Sequence, residues 1–287
     1  MGLPHYAVLG HPVAHSLSPR IHAAFGRQCG VPLTYLAIDT AKAGFAITLE
    51  RFAAAGGIGA NVTAPDKAEA AARCDQLGHR ARKAGVVNTL SLRDGRWEGD
   101  NTDGAGLVRD LRERRGLDLH DQRALLIGAG GAAHGVAPAL MEAGLAQLVI
   151  ANRTRHRAYD LLDRLYDPAR LRACTLAELP GMGEFDLIVQ ATSAGHDDQL
   201  PPLPASLIGA ASTCVDLNYG RAALPFLAWA RAHHCANAID GLGMLVEQAA
   251  EAFQLWHGMR PDTDPVYTQL RLSTGGPEMA TATGREH

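Results

Sequence analysis

Two stretches of this 287-residue chain gather side chains able to grip and protonate a small polar molecule. The first is Gly10-His11-Pro12-Val13-Ala14-His15-Ser16-Leu17-Ser18-Pro19-Arg20-Ile21-His22, and the second is Gly59-Ala60-Asn61-Val62-Thr63-Ala64-Pro65-Asp66-Lys67. Hydroxyls donate and accept hydrogen bonds, and an ammonium adds charge and a transferable proton. The hydroxyls of Ser16, Ser18 and Thr63 and the ammonium of Lys67 could converge on one small polar ligand. Each has a plainer reading taken alone: Ser18-Pro19 as a helix N-cap with proline at the first turn, Thr63 as a turn cap, Lys67 as the surface start of a helix. Only their combination lifts a functional reading above these.

A third stretch suits phosphate. Gly128-Ala129-Gly130-Gly131-Ala132-Ala133 follows the apolar run Ala124-Leu125-Leu126-Ile127 and precedes a helix-like segment. Glycine lets the backbone turn tightly after a strand and bring a helix N-terminus against a pyrophosphate, where free N–H groups favour negative charge. The third position of the Gly-x-Gly-x-x-Gly pattern is Ala133 here, but the strand–turn–helix context is the one a dinucleotide requires; the bland alternative is a tight βα turn. An NAD site usually has an acid at the end of the next strand. This chain reads Ala151-Asn152-Arg153-Thr154-Arg155-His156-Arg157. Guanidinium donors there suit the 2′-phosphate of NADP, against a solvated basic helix start that would oppose the helix dipole.

The elements that must position these residues alternate between strand-like and helix-like segments, the pattern of α/β layers. In a first lobe the spacing predicts strands near 5–9, 33–38, 58–62 and 86–91 and helices near 19–29, 42–55 and 66–73. In a second it predicts strand 123–127, helix 131–143 stopped by Gly144, strand 147–151, helix 155–165, and strands near 186–191 and 213–217. A helix opening at Asp103 runs between the lobes, and Gly243 opens a strong helix to about His257. Both polar stretches of the first lobe sit just after a strand, the edge at which open α/β sheets bind ligands. The stretch from Ser273 to His287 reads as a disordered tail.

With 27 Lys and Arg against 30 Asp and Glu, the formal charge is −3, so the chain as a whole has no basic footprint for nucleic acid or an anionic membrane. The partners expected are small molecules, with no nucleic acid and no membrane. Cys29, Cys74, Cys174, Cys214 and Cys235 are odd in number, scattered and never spaced Cys-x-x-Cys, which suits reduced thiols in the cytoplasm. Met1-Gly2-Leu3-Pro4-His5 does not read as a leader, and no apolar run is long enough to span a membrane. His15, His22 and His233-His234-Cys235 lack a familiar zinc spacing, so no metal is expected.

Ordered along the chain are Gly10-x-Pro12-x-x-His15-Ser16-x-Ser18-Pro19-x-x-His22, Asn61-Val62-Thr63-x-Pro65-x-Lys67, Ala84-Gly85-Val86-Val87-Asn88-Thr89-Leu90, Gly99-Asp100-Asn101-Thr102-Asp103-Gly104 and Asp240-Gly241-Leu242-Gly243-Met244-Leu245-x-x-Gln248-Ala249. With Gly128-Ala129-Gly130-Gly131 and Asn152-Arg153-Thr154, this series over about residues 5 to 268 resembles the shikimate dehydrogenases. The resemblance implies two open α/β domains: an N-terminal substrate-binding domain (1–103 with 241–270) and a Rossmann-type NADP-binding domain (104–240), with a C-terminal helix returning to the first. It implies NADP-dependent, reversible reduction of 3-dehydroshikimate to shikimate, on the route to chorismate and the aromatic amino acids, by a monomer or homodimer. By position, Ser16 and Ser18 would hold the substrate carboxylate, and Thr63, Asn88, Asp103 and Gln248 its ring hydroxyls, with Tyr219 bordering it. Lys67 would be the proton donor and acceptor, oriented by Asp103. Gly128, Ala129, Gly130, Gly131, Ala132, Asn152, Arg153, Thr154, Arg157, Thr192 and Gly241 would contact NADP.

Three positions depart from the family's usual pattern: Gln190 where Asn is usual before Ala191-Thr192-Ser193, a loop that faces the nicotinamide, His134 for a frequent arginine, and Ala23 for a frequent Asn. Two rival readings stand beside the main one. The first is a relative that oxidises quinate as well, often with NAD; the second is a non-catalytic NADPH-binding module, which would have no need of Lys67, Asp103 and Gln248 together.

Overall fold

The computed structural model describes residues 5–197 and 199–274. Residues 1–4 and, from the expected tail, residues 275–287 lie outside the described residues, while Ser273 and Thr274 close the final helix. The chain divides into two units: residues up to Asp110 with His134–Ala139 and Leu245–Val266, and Leu111–Ala133 with Leu140–Met244 and the residues from Tyr267.

The first unit is built on strands β1 (His5–Gly10), β2 (Thr34–Asp39), β3 (Gly57–Val62), β4 (Gln76–Leu77), β5 (Thr89–Arg93) and β6 (Arg96–Asp100), ordered β2-β1-β3-β5-β6-β4. The pairs β1–β2, β1–β3 and β4–β6 are parallel, whereas β3–β5 and β5–β6 are antiparallel. Helices α1 (Ser18–Cys29), α2 (Phe45–Ala54), α3 (Lys67–Ala72) and α4 (His79–Ala84) connect them, and α5 (Asp103–Arg109) follows β6. Leu9, Ala60, Val62, Val87 and Leu90 pack with Phe45, Leu49 and Phe52 of α2 in one buried cluster. The α1 helix buries Ile21, His22 and Phe25 and ends where Gly30 adopts φ 67°, its N–H returning to Gly26 O, a left-handed cap that glycine supplies without a Cβ clash.

The second unit holds β7 (Arg123–Ile127), β8 (Gln147–Asn152), β9 (Leu171–Thr175), β10 (Phe185–Gln190), β11 (Ile208–Asp216) and β12 (Asn237–Ile239), all parallel, in the order β12-β11-β10-β7-β8-β9. This is the doubly wound order, with its topological switch between β7 and β10. Ala124 to Ile127 are fully buried, as a central parallel strand covered on both faces requires. Helices α6 (Gly131–Glu142), α7 (Arg155–Leu165) and α8 (Leu224–Ala232) belong to its crossovers. The chain ends in α9 (Leu242–His257) and α10 (Asp264–Thr274). From Leu245 onward α9 packs in the first unit, where Phe253 is fully buried and Trp256 Nε1 donates to Leu90 O at 3.0 Å.

Several expectations shift. The strand expected at 86–91 begins at Thr89, and it is followed by the β5–β6 hairpin around Asp94 (φ 50°) and Gly95 (φ 74°). Ser18 is the first helical residue of α1, not its N-cap; Leu17 holds the cap position, and Ser16 Oγ accepts the Ser18 N–H at 3.3 Å. The spacing does not predict the α4, α8 and α10 helices or the β4, β6, β9 and β12 strands.

Candidate active site

At the carboxyl end of β3 the chain leaves the sheet at Thr63, whose N–H donates to Leu9 O at 2.9 Å, and turns into α3. That turn puts Lys67 at the first residue of the helix. Its Nζ donates to Asp103 Oδ2 at 2.5 Å, and the two side chains are only 12% and 7% exposed. Asp103 opens α5 and is held from two further directions: Asn88 Nδ2 lies 2.8 Å from Oδ1, and the Asp103 N–H donates to Asn101 Oδ1 at 3.1 Å. Asn88 Nδ2 also lies 2.9 Å from Thr102 Oγ1 and 3.2 Å from Gln248 Oε1, and Asn88 Oδ1 accepts the Thr102 N–H at 2.8 Å. An ion pair so sheltered from water is stable only when its remaining polar atoms find partners, and on the carboxylate side Asn88 Nδ2 supplies one at Oδ1.

The network extends along the sheet. Asn61 Nδ2 donates to Asn88 O and to Thr89 Oγ1, and Tyr35 Oη donates to Asn61 Oδ1 at 2.7 Å. The Tyr35 ring stacks on the His22 imidazole at 4.3 Å and 5°. Burial pushes His22 down to about 3, so it is a neutral packing residue in the aromatic cluster with Phe25, Phe253 and Trp256. Thr102 is fully buried between Asn88 and Gln248, a role that the sequence alone does not assign. It stood inside a recognised motif, but its part depends on contact with a residue 146 positions away.

The first unit thus brings together Lys67, Asp103, Asn88 and Gln248. Ser18 is buried and Ser16 half-buried at the start of α1, and Thr63 is half-buried beside them in sequence order on the next loop. His134 lies with its Nδ1 3.1 Å from Ala84 O.

In the second unit the glycine turn lies between β7 and α6. Gly128 takes φ 109°, its N–H donates to Ala151 O at 2.8 Å, and an added Cβ would stand 3.0 Å from Thr192 Cγ2. Gly130 is exposed, with open space where a Cβ would project, so a flat group can approach the backbone ahead of Gly131 and Ala132. At the end of β8, Asn152 Nδ2 donates to Thr154 O at 2.9 Å. Arg155 is committed to Glu178 at 2.8 Å, whereas Arg153 and Arg157 are exposed and form no ion pair among the described residues. Gln190 is buried, and its Oε1 accepts the Thr192 N–H at 3.2 Å; the longer amide closes on its own loop. Thr192 O accepts from Asn218 Nδ2 at 3.0 Å, and Asn218 O accepts the Gly241 N–H at 2.8 Å. Tyr219 is half-buried just after that asparagine, beyond β11. Among the described residues no group of His, Cys, Asp and Glu is arranged to hold a metal, and no helix is long and apolar enough to cross a membrane.

Two buried carboxylates lie near this loop set. Asp240 is held by Arg271 of α10 through both oxygens, at 2.6 and 2.8 Å, and Asp240 Oδ1 also accepts the Leu242 N–H. Asp216 accepts from the backbone and side chain of Asn218, both at 2.8 Å. Burial, reinforced by the charge of Asp240, nonetheless pushes it up to about 7.

Comparison with known proteins decides the family. Three family models match in chain order: a shikimate dehydrogenase substrate binding domain at residues 8–90, shikimate / quinate 5-dehydrogenase at 110–197, and a shikimate 5'-dehydrogenase C-terminal domain at 241–271. A protein of Xylella fastidiosa named shikimate dehydrogenase (NADP(+)) is 58% identical over 279 residues, covering 96% of this chain and 99% of the relative. The chain belongs to the shikimate dehydrogenase family. A Xanthomonas campestris pv. campestris protein of the same name is 59% identical, covering 94% of this chain and 96% of its own. The crystal structure of shikimate 5-dehydrogenase from Thermus thermophilus, in complex with NADP(H) and shikimate, superimposes with a TM-score of 0.81 at 37% identity, covering 94% of this chain and all of that one. The two-domain α/β architecture, with a substrate domain and a Rossmann-like NADP domain, is that of this family.

Proposed function

We propose that this member of the family reduces 3-dehydroshikimate to shikimate with NADPH, reversibly, and that Lys67 and Asp103 carry the proton transfer. The reading rests above all on the sheltered Lys67–Asp103 pair, ringed by amides and hydroxyls at a strand's carboxyl end. When a ketone accepts hydride, negative charge gathers on its oxygen, and a positioned cation that can release a proton stabilises it. The Lys67 ammonium donates that proton. Asp103 keeps Nζ aimed while Asn88 keeps Asp103 aimed, and in the oxidative direction the neutral amine takes the proton back from the substrate hydroxyl. Ser16 and Ser18 hold the substrate carboxylate, Thr63, Asn88, Asp103 and Gln248 its ring hydroxyls, and Tyr219 borders it. The substrate-binding domain comprises 1–103 with 241–270, and the NADP-binding domain 104–240.

The second unit's donor set fits NADP. Open space at Gly130 and the free N–H groups opening α6 suit a pyrophosphate, and the uncommitted guanidiniums of Arg153 and Arg157 suit a 2′-phosphate. Gly128, Ala129, Gly130, Gly131 and Ala132 take the pyrophosphate, Asn152, Arg153, Thr154 and Arg157 the adenosine phosphate end, and Thr192 and Gly241 the nicotinamide end. Bound NADPH supplies the hydride. Five free cysteines agree with a reducing cytoplasm. The test is a spectrophotometric assay of NADPH loss with 3-dehydroshikimate, run beside NADH and beside 3-dehydroquinate. Turnover is expected with NADPH and 3-dehydroshikimate. Equal turnover with NADH removes the 2′-phosphate reading, and no turnover with any pair removes the enzymatic one.

A further inference from the structure

Behind the groups assigned to substrate runs a row of alternating charges that none of the proposed chemistry uses. Arg80, on α4, donates from Nε and Nη2 to both oxygens of Asp100, at 3.3 and 2.8 Å, and from Nη1 to Glu251 of α9 at 3.1 Å. Arg260 donates to Glu251 from Nη1 and to Glu247 from Nη2, the latter at 2.5 Å, and Thr263 Oγ1 donates to Glu247 at 2.6 Å. Glu247 is 4% exposed and Glu251 16%. Three elements meet in this row: the end of β6, α4 and α9.

Two of the anchored acids, Asp100 and Glu247, directly precede residues of the candidate site. Asp100 precedes Asn101-Thr102-Asp103, its Oδ1 accepts the Asn101 N–H at 2.7 Å, and its backbone oxygen accepts the Asn88 N–H at 3.1 Å. Glu247 precedes Gln248, and Glu247 and Glu251 lie four residues apart on one face of α9, about 100° and about 60° round the helix from Gln248. The opposite flank of that turn is fixed by close packing, since a Cβ on Gly106 of α5 would stand 2.6 Å from Gln248 N. The row thus ties α9 to α4 and to the end of β6, and Gln248 of the same helix lies 3.2 Å from Asn88.

We propose that Arg80 and Glu251 are positioning residues for the substrate. The Asp100–Arg80–Glu251–Arg260–Glu247 row holds Gln248 in register with Asn88 and Asp103, so it governs the affinity for the polyhydroxylated ring while touching neither substrate nor cofactor. The inference rests on the functional reading above. Ring hydroxyls bound by a fixed amide lose affinity when that amide drifts by even a fraction of an ångström, because buried polar groups are then left poorly paired.

The experiment is steady-state kinetics of Arg80→Met, Arg80→Lys and Glu251→Gln, following shikimate oxidation with NADP+, with a thermal melt of each. Arg80→Met is expected to raise KM for shikimate about tenfold, equivalent to about 1.4 kcal/mol, to lower kcat less than about threefold, and to leave KM for NADP+ within about twofold. Arg80→Lys should recover part of the loss, since a point charge can reach one carboxylate but cannot fork to two. Glu251→Gln, which keeps a hydrogen-bonding side chain and guards against a misfolded Arg80→Met, should raise KM for shikimate about threefold. A lowered melting temperature with KM for shikimate unchanged, or an equal rise in both KM values, overturns the proposal. Absence of shikimate turnover in the wild type is a different result and removes the functional reading itself.

Discussion

Lys67 is the residue on which the proposed chemistry turns. Lys67→Ala is expected to lower kcat by about 10²–10⁴-fold, the range for loss of general acid–base help, with NADPH affinity nearly unchanged; stopped-flow turnover and fluorescence titration check the two halves, and near-wild-type turnover refutes the assignment. Arg153→Ala should raise KM for NADPH far more than KM for 3-dehydroshikimate, because each charge-assisted contact to a phosphate contributes roughly 1.5–3 kcal/mol; parallel rises in both would reject a 2′-phosphate contact. Asp216 contributes through pH. Its folded-state value near 7 lies above the ordinary carboxylate value of 3.8, so the folded protein binds that proton more tightly than the unfolded chain. The associated stability is complete below pH 4 and is lost as pH rises through 7, with about 4 kcal/mol as an upper bound. Asp216→Asn keeps an acceptor for the Asn218 N–H and should flatten that part of the urea-denaturation profile between pH 4 and 8; an unchanged slope would show that Asp216 is not its source. The residues that carry charge or hydroxyls in tight motifs are legible from the chain alone. Thr102, Asn61 and Tyr35 are not, because their partners lie far along the chain, across the sheet for Asn61 and Tyr35 and on α9 for Thr102, and spacing does not bring them together.

At the scale of elements, long periodic segments declared themselves, and short ones did not. The β7 strand, α6, β8 and α7 were expected within a residue or two of where they lie, since buried parallel strands read as unbroken apolar runs. Val86-Val87 also reads as strand, yet those residues lead into Asn88 while pairing begins only at Thr89. Asp94-Gly95 is a hairpin signal, and it turns the chain between the antiparallel β5 and β6, a pairing that the alternation of strand-like and helix-like segments does not imply. Helix contacts that depend on a missing side chain were likewise invisible. Gly106→Ala should force α5 and α9 apart, since the Cβ meets the backbone of Gln248 and not a flexible side-chain tip. The expected cost is about 1–3 kcal/mol of stability, read as a lower melting temperature, together with a raised KM for shikimate. A melting temperature and KM equal to those of the wild type would mean the two helices are free to separate at no cost.

For the whole molecule, the division into two units predicts two separate ligand footprints. In hydrogen exchange, shikimate alone should slow residues 61–67, 88, 101–103 and 245–251, and NADP+ alone residues 128–133, 152–157 and 191–193. Protection of 61–67 by NADP+ with none at 128–133 would overturn the assignment of cofactor to the second unit. The return of α9 has a further consequence, which concerns the making of the protein. Leu90 waits for Trp256 across 166 residues, and Asn88 waits for Gln248 across 160. On a ribosome adding about 5–20 residues per second, β1 to β6 are exposed for roughly 10–30 s before α9 exists. During that interval Tyr6, Phe25 and Tyr35 lack their later covering of Phe253 and Trp256. The nascent chain thus carries aromatic side chains whose covering comes only with α9, and the residues assigned to substrate, mostly synthesised early, are among the last to be completed.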